Sequence, residues 1–458
     1  MKIRALLSLL VATTGLSADD SQSWPQFRGP QASGVASGAA VPAKWNVESG
    51  KNIRWQAAIP GYSHASPIIW GERMYVVTAV SAGQVEPKLG LYGEIASANE
   101  NSAVQWHLLA LEKATGKVAW DTLAYEAIPR VKRHTKATHA NSTPASDGEH
   151  IVAILGSEGL FCFSRDGKLL WKKDLGPMVS GYYLSPTAQW GFASSPIVHD
   201  GKVVVLCDVI SDGFLAEFDL ATGRELWRTK RDDVPTWGSP TVVESGGRTF
   251  ILVNGWKHSG AYDFATGQEV WKLSGGGDIP VPTPIVGNGV AYFTSAHGRF
   301  RPMRAIKLEA QGDITPPDVA ERNEAIAWVH AREGDYMQTP ILVGDLLFGC
   351  VDNGILTCFD AKSGDIRYSE RLGKGGQGFT ASPVSDGRNL FFPSEQGQVF
   401  VVPVAPEFSV AGKNELGEPC MASPAISGGT LFFRTQSKVI AIGSTTSPAE
   451  AKEGPAAP

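Results

Sequence analysis

Residues 219–229 read DLATGRELWRT and residues 263–273 read DFATGQEVWKL, with an earlier form, EKATGKVAWDT, at 112–122. A Thr-Gly turn followed by a short alternating run that closes on tryptophan, recurring at this spacing, restricts the chain to an array of similar units. A second mark recurs beside it: Ser or Thr followed by Pro, then an apolar run and a glycine turn. It falls at Ser66, Thr143, Ser195, Ser239, Thr283, Thr339, Ser382 and Ser423, which makes eight. Where nothing is inserted the period runs from 41 residues (382 to 423) to 56 (283 to 339), the range of four-stranded propeller blades.

Proline at the start of the first strand of each unit fits this reading, because that position needs no N–H for the ladder. Closing aromatics fall at Trp120, Trp171, Trp227, Trp271, Trp328 and Tyr368, with a weaker counterpart near Phe408. After Ser423-Pro424 the chain supplies only three strands, ending near 443. An orphan strand, NIRWQAAI at 52–59 with Trp55, precedes the first Ser-Pro. The expected fold is therefore all-β, an eight-bladed β-propeller over 51–443 closed by its N-terminal strand, which leaves no open sheet edge. Thr-Gly makes the hairpin into each outer strand, and Trp55, Trp120, Trp171, Trp227, Trp271 and Trp328 are expected to pack between neighbouring blades as structural residues.

Eight units closing on Thr-Gly and tryptophan resemble the PQQ-like β-propeller repeat superfamily. That superfamily includes the quinoprotein alcohol dehydrogenases and the propeller subunit of the outer-membrane β-barrel assembly machinery. The segments WPQFRGP at 24–30 and GYSHASP at 61–67 further resemble exported propellers of this type. The resemblance covers roughly residues 50–443. It is specific for fold and not for activity, since one fold hosts many functions.

MKIRALLSLLVATTGLSADD has the layout of a secretory signal peptide cut near Ala18, so export to the periplasm or beyond is expected. No apolar run reaches the length of a membrane span, and no cysteine near the cleavage site offers a lipid anchor. A formal charge of −5 gives no reason to expect a nucleic-acid partner. The five cysteines, Cys162, Cys207, Cys350, Cys358 and Cys420, are widely spaced and read as small strand hydrophobes, although a local bridge between Cys350 and Cys358 is conceivable. Residues 19–50 are expected to form an extension lying along the propeller's side, and 444–458 a disordered Pro/Ala/Glu-rich tail. A closed propeller needs no second copy, so a monomer is expected.

Long insertions at 81–106, 121–142 and 172–194 all belong to one face, often the binding face of a repeat fold; another insertion, near 310–325, falls elsewhere. Residues preceding each Ser/Thr-Pro should ring the channel mouth. They nominate His64, His139, Asn141, Trp190, Trp237, Asp278, Tyr336, Gln338 and Glu418 as a ligand-binding funnel; the alternative is a plug that fills the channel. The loop 129–144 is the only basic cluster. Its Arg130, Lys132, Arg133, His134 and Lys136 are candidates for an anion-binding loop, or else a solvated charge run.

No GxSxG, P-loop, HExxH or helix-opening GxGxxG occurs, and no catalytic residue or protein metal site is assigned. The expected function is a non-catalytic binding or scaffold module in the cell envelope, with an envelope protein, polymer or small ligand on the inserted face and no cofactor. The alternative that the resemblance implies is a PQQ- and Ca²⁺-dependent dehydrogenase. Its quinone would lie on Trp237 or Trp190, with Asp278, Asn141 and Glu418 as calcium ligands and Asp278 as base.

Overall fold

In the computed structural model, which describes residues 22–444 apart from 37, 39, 92–94 and 186, eight antiparallel sheets are arranged as a β-propeller. The expected leader at 1–18 and the tail beyond 444 lie outside the described residues. Blade 1 comprises Ile68–Trp70, Arg73–Val80, Val104–Glu112 and Val118–Ala127. Its outer strand runs on to Ala127, so the loop into blade 2 begins later than the sequence suggests. Blade 8 comprises Ala425–Ser427, Thr430–Arg434 and Lys438–Ile442. Ile53–Ala58 supplies its fourth strand, pairing antiparallel to Lys438–Ile442 and closing the ring as expected.

Second and third strands are nearly continuous apolar runs, such as Lys202–Cys207 and Phe214–Asp219, because both faces of each sheet are covered by neighbouring blades. Cysteines serve there as small hydrophobes, and all five are free and buried. The insertion near 310–325 sends Gly312–Asp313 back as a fifth, parallel strand beside Glu269–Leu273 of blade 4.

The recurring tryptophan has a defined partner. Trp55, Trp171, Trp227 and Trp328 each reach from the outer strand of one blade to the turn of the next, where they cover Gly116, Gly223, Gly267 and Gly364. Each indole Nε1–H donates to the carbonyl three residues before that glycine: Lys113, Leu220, Phe264 and Ala361, at 2.8–3.1 Å. The glycines have φ between +66° and +81°, a region costly for any side chain, and a Cβ there would sit 2.3–2.8 Å from the indole. Thr-Gly and tryptophan are thus two halves of an inter-blade latch. Trp120 covers Gly167 in the same way, whereas Trp271 packs edge-on to Phe293 where the insertion replaces the turn.

The Ser/Thr of each Ser/Thr-Pro forms an inner ring. The N–H of Ser66 donates to Thr143 Oγ1, Thr143 to Ser195, Ser195 to Ser239 and Ser239 to Thr283. Thr283 then donates to Thr339, Thr339 to Ser382 and Ser382 to Ser423, all seven bonds measuring 2.8–3.1 Å. The ring breaks between blades 8 and 1, where the Ser66 hydroxyl is buried without a partner.

Residues 22–36 do not lie along the side of the propeller. Trp24 pairs with Ile69 on the inner strand of blade 1, and Val35 bridges Ser385 in blade 7, so the segment crosses the channel. Arg28, fully buried, donates to the carbonyls of Ala32, Ser33, Pro340 and Pro383. At Gly29 (φ +72°) a Cβ would lie 2.7 Å from the Trp24 ring, so the turn needs glycine there. WPQFRGP is therefore a stopper for the channel, and its apolar residues are placed by burial against the inner strands.

Candidate functional site: the mouth of the channel

Above this stopper the channel widens into a cavity of about 620 Å³, within the usual size of small-molecule sites. Five rings form an arc around it. Trp190 lies 5.5 Å from Trp237 at 36°, and Tyr182 stacks on Trp190 at 5.7 Å and 7°. His297 meets Tyr182 edge-on at 5.8 Å and Tyr336 at 5.9 Å and 26°. Both indole N–H groups are engaged, Trp190 Nε1 with Ile95 O (3.0 Å) and Trp237 Nε1 with Gly191 O (2.9 Å), which fixes their planes. Phe27 of the stopper also lines the cavity, and the far wall carries Asp352, Asn353, Arg301 and Thr380.

His297 has φ +76°, uncommon for a side-chain-bearing residue and a common mark of functional loops. Its Nδ1 lies 2.6 Å from Asp278 Oδ1, and the hydroxyls of Tyr182 and Tyr183 approach the other carboxylate oxygen at 3.4 Å. Burial and this carboxylate push the Tyr183 hydroxyl up to about 12, so it stays protonated and can donate. Burial pushes His64 down to about 4; neutral at ordinary pH, its Nε2–H donates to Lys136 O (2.8 Å).

The three inserted loops meet around Trp190, which bonds Ile95 and packs on His134, and the basic cluster holds them together. Arg133, 1% exposed, binds Glu100 through two nitrogens and also caps the carbonyls of Val85 and Ala137. His139 Nε2 lies 3.0 Å from the same Glu100. Although burial works against the charged carboxylate, these partners hold Glu100 down at about 2. Lys136 crosses the mouth to Glu395 of blade 7, 2.9 Å from each oxygen, and also bonds Gly90 O. Arg130 pairs with Glu158 and Asp174. The anions that Arg130, Arg133 and Lys136 meet are thus the chain's own carboxylates; Arg133 and Lys136 are buried on theirs, while Arg130 lies at the surface. Lys132 keeps an exposed side chain, while His134 lies edge-on to Trp190 in the cavity wall.

Of the nine funnel residues nominated from the sequence, His64, Asn141, Trp190, Trp237 and Tyr336 line this cavity together. His139 is turned to Glu100. Gln338 is fully buried, donating to Ala381 O at 2.6 Å. Glu418 lies away from the cavity, on Thr435 and Ser437. Asp278 stands behind the aromatic arc rather than in it.

These positions also test the calcium set. Asp278 is committed to His297 and two tyrosines, Asn141 Oδ1 accepts from the N–H and hydroxyl of Thr138, and Glu418 is elsewhere. Among the described residues no three His, Cys, Asp or Glu side chains converge where a cation could sit. The three nominated residues do not come together as a calcium set.

Sequence reasoning missed Tyr182, His297, Arg301, Asp352 and Phe27. Tyr182 lay within the insertion 172–194, and Asp352 between Cys350 and Cys358. No local pattern sets His297 or Arg301 apart from other loop residues.

Among solved structures, BamB from Moraxella catarrhalis superposes with a TM-score of 0.53 at 13% identity, covering 80% of this chain and all of that one. A europium-containing methanol dehydrogenase gives 0.61 at 11% identity, over 91% of this chain and 90% of that one. The quinohemoprotein alcohol dehydrogenase of Comamonas testosteroni gives 0.60 at 12%, over 94% and 82%. At such identities these are likenesses of fold. No curated protein matches the sequence, and among the described residues no helix is long and apolar enough to cross a membrane. The sequence model described as outer membrane protein assembly factor BamB matches residues 105–370, more than half the chain, and to that PQQ-like propeller family this protein belongs.

Proposed function

We propose that this protein is a non-catalytic binding module of the cell envelope, and that its central cavity holds a small ligand with a flat apolar body. The observation that carries this reading is the arc Trp237–Trp190–Tyr182–His297–Tyr336 around a cavity that Phe27 and Arg28 stopper from below. Aromatic walls with a few fixed polar groups favour stacking of a planar body over recognition of a protein surface. The envelope setting rests on the leader-like N-terminus and on the description of the family.

The test is a titration of the mature protein with N-phenyl-1-naphthylamine, whose fluorescence rises on entering an apolar aromatic site. One site per chain is expected, with affinity lowered about tenfold or more by Trp237→Ala, from loss of a stacking surface. Binding that never saturates, or that ignores Trp237→Ala, would refute the reading. A parallel titration with PQQ and Ca²⁺, followed by dye-linked alcohol oxidation, addresses the dehydrogenase. Turnover there would replace the proposal.

A further inference from the structure

The floor of the cavity has a chemistry of its own. Seven hydroxyls of the inner ring, Thr143 through Ser423, each accept a backbone N–H, and none donates to a protein acceptor among the described residues. A hydroxyl carries one donor beside its acceptor lone pairs, so each of these keeps its O–H available. Six of the seven line the cavity. Beside the ring, the hydroxyls of Ser142 and Ser194 are buried without any partner.

Directly beneath, Arg28 is bound through the carbonyls of Pro340 and Pro383, the residues that follow Thr339 and Ser382 of the ring. Its bonds all go to carbonyl oxygens, and no carboxylate pairs with it among the described residues. Burial pulls the guanidinium down only to about 9, so it stays charged at neutral pH. An unpaired buried cation is costly, and the cost falls when an anion comes near. Arg301 and Lys136 are cations of the wall, and Asp352 is the one carboxylate lining the cavity among the described residues.

We propose that the hydroxyl ring above Arg28 is a subsite for the oxyanion head group, a carboxylate or sulfonate, of the ligand whose flat body packs on Trp190 and Trp237. This rests on the reading of the cavity as a ligand site. Donor groups that keep their protons, placed over a buried positive charge, suit a group that only accepts hydrogen bonds. The neighbouring aromatic planes suit what the head group is attached to.

Two probes that differ only in the head group test it: 8-anilinonaphthalene-1-sulfonate and the uncharged N-phenyl-1-naphthylamine. Removing ring hydroxyls with Thr339→Val and Ser382→Ala together should weaken the sulfonate about tenfold, the scale of charge-assisted hydrogen bonds. The uncharged probe should change less than about twofold. Ser382→Ala alone serves if the double variant does not fold, with the same selective direction. Equal losses for both probes, or no loss for the sulfonate, would overturn the subsite and leave the cavity reading intact provided both probes respond to Trp237→Ala. If neither probe binds, both readings fall.

Discussion

The latch between tryptophan and glycine makes a quantitative prediction at Gly223. Its φ is +66°, and a Cβ would lie 2.6 Å from Cδ2 of Trp171. Gly201 provides a control with the same φ of +66° and nothing within 4 Å of its Cβ. Gly201→Ala should cost only the left-handed strain of an L-residue, about 1–2 kcal/mol. Gly223→Ala carries the same strain and must also displace the indole. That displacement gives up the 2.8 Å bond to Leu220 O, about 1 kcal/mol, and part of the ring's burial, about 1–2 kcal/mol of the 1.5–3 available to a large side chain. The expected total is about 3–5 kcal/mol, and so about 2–3 kcal/mol beyond Gly201→Ala.

Urea unfolding of the three proteins, compared through midpoints at a shared slope, measures the difference. Trp171→Ala in the Gly223→Ala background should add much less than it costs alone, because the two changes break one contact. Losses at Gly223 and Gly201 that agree within about 0.5 kcal/mol would refute the latch. They would mean that glycine is there for the turn alone.

Two further outcomes follow from buried polar groups. Burial raises the Glu217 carboxyl from 4.5 to about 7 despite Lys202 at 3.5 Å. A raised carboxyl favours the folded state most when protonated, so this contribution is complete below about pH 4.5 and is lost as pH rises towards 7. The loss is at most about 3 kcal/mol; Glu217→Gln should flatten that leg of the stability profile, and urea midpoints at pH 5 and pH 8 that shift equally in both proteins would contradict it. In the hydroxyl ring, Ser239→Ala removes the acceptor of the Ser195 N–H and should cost about 1–3 kcal/mol. Ser66→Ala, at the break, removes a hydroxyl with no partner and should be neutral or stabilising; thermal midpoints that drop equally for both would show that the ring bonds carry no stability.

The parts of this molecule legible in its sequence are those with a period. Ser/Thr-Pro marks every blade and the glycine turn with its tryptophan recurs at five interfaces among the described residues, and a contact made many times leaves a repeated trace. The orphan strand with Trp55 was readable for the same reason, since a ring of four-stranded blades requires it. The stopper was not, because WPQFRGP occurs once and its partners lie far along the chain: Arg28 bonds Pro383, 355 residues away. The basic loop was misread on similar grounds. A run of Arg, Lys and His looks solvent-facing until Glu100 and Glu395, the latter 259 residues from Lys136, are brought beside it.

The same division explains why the fold so weakly limits the activity. Latch and hydroxyl ring belong to the repeat, whereas Tyr182, Trp190 and the loop that carries His134 belong to insertions that the repeat does not require. The fold is shared with quinoprotein dehydrogenases, but the nominated calcium ligands are engaged elsewhere: Asp278 with His297 and two tyrosines, Asn141 with Thr138, and Glu418 with Thr435 and Ser437. A chain can therefore keep all eight blades while its insertions change the chemistry of the mouth. The ring floor is the exception, since its hydroxyls serve the fold through their acceptor side and leave the donor side to whatever occupies the cavity. If the floor subsite is real, head-group preference should persist in a variant whose aromatic arc has been weakened. The hydroxyls that join neighbouring blades would then also select the charge of the ligand.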